Sequence, residues 1–206
     1  FHNETANKKR IEDSKKVMEM ALELECKVVT THAGVVPTDQ KSDRYRVMAK
    51  AFAELGKIAK DMGATFAIET GPEPAKNLAA FLKDIDIPGG IGVNFDPANL
   101  LLWPPAIAKR HNKPFNYEEA MRDFDPVEGL RTLIPWVAHS HGKDSVLHPD
   151  GSKAEVPLGT GMTHWPELYK IFKANNYQGY VAIERECGEN AMEDVRKAVQ
   201  FLRSLD

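Results

Sequence analysis

Five short apolar segments of this chain end in a residue that can bind a cation or move a proton. They are "KVVTT" before His32, "ATFAIE" ending at Glu69, "IGVNFD" at Asp96, "WVAHSH" at His141 and "GYVAIE" at Glu184. One strand-end carboxylate is ordinarily a helix cap or half of a surface ion pair, and one histidine is ordinarily hydrogen-bonded. Five together form a pattern. Side chains alternate along a strand, so Asn94 shares a face with Asp96, His139 with His141, and Glu184 with Glu186. If those faces converge, three carboxylates and an imidazole meet. Such a cluster must hold a cation or take up protons, because unpaired buried charge is costly. Mostly oxygen with one nitrogen suits one divalent ion, Mn²⁺, Mg²⁺ or Co²⁺, and allows Zn²⁺ with open positions. No cysteine joins the set, which excludes an ordinary structural zinc site.

The elements that must position these residues alternate. Apolar residues at helical spacing run through "NKKRIEDSKKVMEMALELE", "SDRYRVMAKAFAELGKIAKDMG", "EPAKNLAAFLKDI", "DPVEGLRTLI", "THWPELYKIFKANN" and "NAMEDVRKAVQFLRSL". Ser42 and Gly63 bracket the second of these as cap and stop, and Thr163 is the expected cap of the fifth. The stripe Leu78, Phe81, Leu82, Ile85 reads as core, and Cys187 as a small packing residue. Alternating βα units imply a parallel α/β sheet with helices outside, either doubly wound or a (β/α)8 barrel. No glycine-rich phosphate loop follows the first strand, which disfavours the doubly wound nucleotide-binding form. In both architectures chemistry sits at the carboxyl ends of the strands. The segment Leu101 to Asp125 is too long for a plain connection and reads as an irregular insertion or lid. No interdomain linker is evident, so residues 1–206 read as one domain.

Composition narrows the function classes. The chain has 206 residues and a formal charge of -3, so there is no basic excess to favour nucleic acid. Two cysteines cannot make a disulfide framework and fit a reducing cytoplasm. No apolar run approaches the roughly 18 residues of a membrane span. The sequence starts at Phe1 without a methionine, as a processed or trimmed stretch would.

The blocks "AIETGPE", "NFDPANL", "HSHGKD", "PLGTG" and "GYVAIERECG", in this order and spacing, resemble the xylose isomerase-like TIM barrels, the sugar phosphate isomerase/epimerase superfamily. The likeness runs from about His32 to the end. It implies a (β/α)8 barrel in which "KVVTTHAG" is the fourth strand, so the first three strands lie outside this sequence. Five strands alone cannot close a barrel. It also implies that Glu69, Asp96, His141 and Glu184 are the four ligands of one catalytic metal, and that Glu69 and Glu184 are the acid–base pair. His32 matches a strand end that faces substrate, and Lys143 and Asp144, beside the ligand histidine in the family's "HxKD" block, are expected with Asn99 against substrate. Asn99 stands where ketose epimerases of this type carry a histidine, and Thr160 replaces an acid of the family's "GEG".

The leading expectation is a metal-dependent sugar isomerase or epimerase working through an enediolate on a small sugar or polyol, with a homo-oligomer possible. His139 and Glu186 could bond substrate hydroxyls or orient ligands from behind, and Trp103 could stack on a sugar face or simply pack. The alternatives are a metal-dependent dehydratase of an inosose-like or hydroxy-acid substrate and an endonuclease IV-like phosphodiesterase. The phosphodiesterase needs several zinc ions and hence more strand-end ligands.

Overall fold

The structure, a computed structural model, describes residues 1–205. In chain order its elements are α1 (Glu4–Glu23), β1 (Val28–Thr31), α2 (Asp43–Met62), β2 (Thr65–Glu69), α3 (Ala75–Ile85) and β3 (Ile91–Phe95). Three short helices come next, α4 (Pro97–Leu102), α5 (Pro104–Arg110) and α6 (Tyr117–Asp123), then α7 (Pro126–Leu133) and a 3-10 turn at Ile134–Trp136. The chain continues with β4 (Val137–Gly142), β5 (Asp144–Leu147), β6 (Lys153–Val156), α8 (Trp165–Ala174), β7 (Val181–Ile183) and α9 (Ala191–Arg203). Strands β1, β2, β3, β4 and β7 form one parallel sheet in that order, a half-barrel with helices outside. Among the described residues no helix is long and apolar enough to cross a membrane.

The helices form where periodicity and caps agree. Ser42 accepts from the Tyr45 amide at the start of α2, and Gly63 closes it in the left-handed region at φ 74°. The stripe Leu78, Phe81, Leu82 and Ile85 is the buried face of α3, and the Phe81 ring meets Phe52 of α2 edge to face at 5.8 Å. Burial of each such side chain stabilises the fold by about 1.5–3 kcal/mol. Helix α2 approaches the start of β3 closely, main chain against main chain at Gly56 and Gly90. A Cβ on Gly90 would collide with the Gly56 carbonyl oxygen, and one on Gly56 would lie 2.6 Å from Ile91 Cγ1.

Three sequence expectations need correction, and one element has no counterpart among them. Segment 101–125 is not irregular: it holds α5, α6 and the end of α4. Prolines 97 and 104 begin helices here, at the first positions where the missing N–H costs nothing. Thr163 does not cap α8, because its hydroxyl is bonded to Asp144 (2.7 Å). His164 takes the cap position at φ 59°, without a side-chain bond. Cys187 is exposed rather than packed. Residues 144–156, assigned to no element from sequence, form the antiparallel hairpin β5–β6.

Candidate metal centre

The sheet register brings the strand ends together. Glu69 pairs with Asn94 and Asn94 with His139, while His141 pairs with Ala182. Between Val93 and Asn94 the β3–β4 register shifts, a bulge that re-aims the side chains beyond it. One donor atom from each of Glu69, Asp96, His141 and Glu184 then lies within 4.8 Å of all the others.

Each donor is held from behind. Asp96 is fully buried, and its Oδ1 caps α4 by accepting from the amides of Ala98 (2.9 Å) and Asn99 (3.1 Å). Glu69 Oε1 accepts from Asn99 Nδ2 (2.9 Å) and Oε2 from Asn94 Nδ2 (3.2 Å). Asn94 Nδ2 also lies 3.3 Å from His141 Nε2, and Asn94 Oδ1 lies 2.9 Å from His139 Nδ1. Glu184 Oε2 accepts from Lys143 Nζ at 2.9 Å.

Two buried atoms in this cluster have no hydrogen-bond partner, Asp96 Oδ2 and His141 Nδ1. They lie 3.6 Å apart, and His141 Nδ1 is also 3.1 Å from Glu184 Oε2 and 3.8 Å from Glu69 Oε1. Buried polar atoms are rarely left unpaired, and a nitrogen facing three carboxylates is what a shared dication satisfies. The donor set therefore fits one divalent ion. The electrostatics show the strain of four such groups together. Burial raises the Glu69 pKa, against the pull of His32 and His141. Burial opposes a charge on His141, but the nearby carboxylates of Asp96, Glu184 and Glu69 outweigh it and raise the pKa. Burial would also raise Glu184, yet Lys143 and His141 bring it below the usual carboxylate value. His139 is lowered, first by burial and then by His141.

The other sequence-selected residues differ in placement. His32 stands exposed on the open side, its Nε2 3.8 Å from Glu69 Oε2. His139 is hydrogen-bonded to Asn94, and Asn99 to the Glu69 carboxylate. Trp103 is 40 % exposed and lies over the β2–α3 loop, its Nε1 3.2 Å from where a Gly71 Cβ would be. It borders a cavity of about 100 Å³ with Val35 and Pro72. Glu186 is exposed and hydrogen-bonded to Lys143. Lys143 and Asp144, expected beside substrate, are both buried at 3 % exposure. The Asp144 carboxylate accepts from the amides of Ser145, Gly159, Gly161 and Thr163 and from the Thr163 hydroxyl, which ties down the "PLGTGMT" loop.

Sequence reasoning passed over Thr70, which joins the ends of β2 and β3, and Glu155 on β6. Thr70 offers no signal of its own. Glu155 comes after a recognisable one: "HPDG" is a turn sequence between two short β-prone runs.

A parallel half-barrel with a carboxylate–imidazole cluster at the carboxyl ends of its strands has its reactive groups where TIM-barrel active sites are built. The chain belongs to the xylose isomerase-like TIM barrel family, matched over residues 1–205. It is similar to a xylose isomerase domain protein from Planctomyces limnophilus, with 27% identity and a TM-score of 0.76 over 96% of this chain and 64% of that one. A D-tagatose 3-epimerase-like protein shares its fold at 20% identity and TM-score 0.71, over 99% of this chain and 73% of that one. So does a xylose isomerase-like TIM barrel protein from Mycobacterium smegmatis in complex with magnesium, at 18% identity and TM-score 0.71, over 96% and 67%. The chain thus spans about two thirds of the length of these relatives.

Proposed function

We propose that this chain carries the metal-binding half of a divalent-metal-dependent sugar isomerase or epimerase. The observation that carries the reading is the pair of orphaned buried atoms, Asp96 Oδ2 and His141 Nδ1, facing each other within a four-residue donor set. The neighbour described as D-tagatose 3-epimerase-like supports the reaction class, and the magnesium complex of another supports the ion. Glu69, Asp96, His141 and Glu184 would hold the ion. When bound, it supplies Lewis-acid stabilisation of negative charge developing on substrate oxygens.

The chain's own residues supply the proton chemistry. Glu69 ends β2 and Glu184 follows β7, so the two approach the cluster from opposite sides of β3 and β4. One carboxylate takes a proton from a sugar carbon and the other returns one to the opposite face or the neighbouring carbon. Asn99 and Asn94 fix the Glu69 carboxylate, and Lys143 fixes Glu184, so each keeps its orientation as charge moves. His32 and Trp103 border the open side, where a sugar would lie, and α5 and α6 in segment 101–125 form the cover. The two free, exposed cysteines accord with the cytoplasm.

The test is solvent deuterium uptake into a panel of ketoses and aldoses with Mn²⁺ or Mg²⁺ present. Glu69→Gln and Glu184→Gln should each abolish uptake while circular dichroism stays unchanged. Uptake persisting in either variant rejects the acid–base pair.

A further inference from the structure

We infer that Lys143, braced by Glu155, is the positioning residue for Glu184. The inference rests on reading Glu184 as a ligand of the centre. His139, His141 and Lys143 alternate onto one side of the chain at the end of β4. Lys143 therefore sits directly past the imidazole, yet only 3 % of its side chain is exposed. Its ammonium hydrogen-bonds Glu184 Oε2 at 2.9 Å and Glu186, and lies 3.8 Å from both Asp96 Oδ2 and Glu155 Oε2. The ammonium therefore faces four carboxylates.

Glu155 comes from the hairpin and is equally buried, its side chain 6 % exposed. Its Oε1 accepts from Arg185 Nη1 (2.7 Å) and from the Glu186 amide (3.0 Å), and Arg185 Nε reaches Asp194 on α9 at 2.9 Å. The three residues after β7 are thereby gripped from the side by β6 and α9, while Lys143 grips the Glu184 side chain from below. β7 is only three residues long, so its own ladder bonds do little to aim Glu184 at its end. Buried ion networks are poor sources of stability but good devices for fixing one arrangement. This one fixes the arrangement that turns Glu184 toward His141 Nδ1.

Positioning and simple charge repulsion predict effects of opposite sign. Deleting a cation beside a dication site should tighten binding by field alone; if Lys143 positions Glu184, its loss should weaken binding. Titration calorimetry of Mn²⁺ into metal-free wild type and Lys143→Met protein reads this, with a loss of about tenfold or more expected, the usual size for a ligand-supporting contact. Hydrogen exchange in the metal-free proteins gives a second readout. Amides 184–187 should exchange faster in Lys143→Met and in the isosteric Glu155→Gln, while α2 and α3 stay unchanged. Unchanged or tighter Mn²⁺ binding by Lys143→Met, or wild-type exchange at 184–187 in a folded variant, overturns the inference. If wild type itself takes up no Mn²⁺, the metal reading fails and the exchange data alone decide the positioning role. Should Lys143→Met not fold, Glu155→Gln decides it by the same exchange measurement.

Discussion

Thr70 and Asp96 clasp each other through a single hydroxyl. Thr70 Oγ1 donates to the Asp96 carbonyl and accepts from the Asp96 amide, each at 2.8 Å. Thr70 also donates its own amide to the Asn94 carbonyl at 3.0 Å. These bonds carry the β2–β3 pairing past the last ladder residue, to where two members of the donor cluster sit. Thr70→Val keeps the shape and strands a buried donor and acceptor on Asp96. Unfolding in urea should show a loss of about 2–3 kcal/mol, and Mn²⁺ affinity should fall with it. A variant as stable as wild type would show that the clasp contributes little.

Asp144 is expected to be structural. Replacing it with alanine removes the acceptor for five donors, four of them main-chain amides. Asp144→Ala should lose about 3–5 kcal/mol of stability and raise hydrogen exchange across 157–163. A variant that keeps its stability but loses affinity for a sugar would instead place Asp144 against substrate.

Glu73 should give the fold a pH dependence of its own. It is buried, accepts only a long bond from the Val36 amide (3.4 Å), and burial pushes its carboxyl up to about 8. The unfolded carboxyl loses its proton near 4.5, the folded one near 8. Between those values the unfolded state binds fewer protons, so stability declines as pH rises and levels off above about 8. Glu73→Gln should remove that decline and exceed wild type at pH 9 by about 2–5 kcal/mol. Urea midpoints taken from pH 4 to pH 9 check it, and parallel curves for the two proteins would refute it.

A ligand that binds only the folded state stabilises it by mass action. Mn²⁺ at a hundred times its dissociation constant should add about 2.7 kcal/mol and raise Tm by about 5–10 °C. His141→Ala should lose that shift and chelator should reverse it. An equal shift in His141→Ala would place the ion elsewhere.

Much of this organisation is legible in the residues. Helix α2 announces itself because Ser42, the apolar stripe and Gly63 agree. The four donors are legible because each sits at the end of an apolar strand, where a charge needs a reason. The short helices α4 and α5 are not, since their opening prolines read as breakers until the helix start is known. The hairpin is legible in "HPDG" but stands outside the βα rhythm. The Thr163–Asp144 bond and the Lys143–Glu155 approach join residues distant in sequence, and only the folded register brings them together. The family likeness of the motif blocks is confirmed by the match over residues 1–205.

The bare main-chain contact between Gly56 and Gly90 has a mechanical consequence. Where two backbones touch, little can re-pack to absorb sliding. The join between α2 and the start of β3 is therefore a stiff one. It lies at the opposite pole of the sheet from the strand tips, which leaves the segments beyond those tips as the freer end.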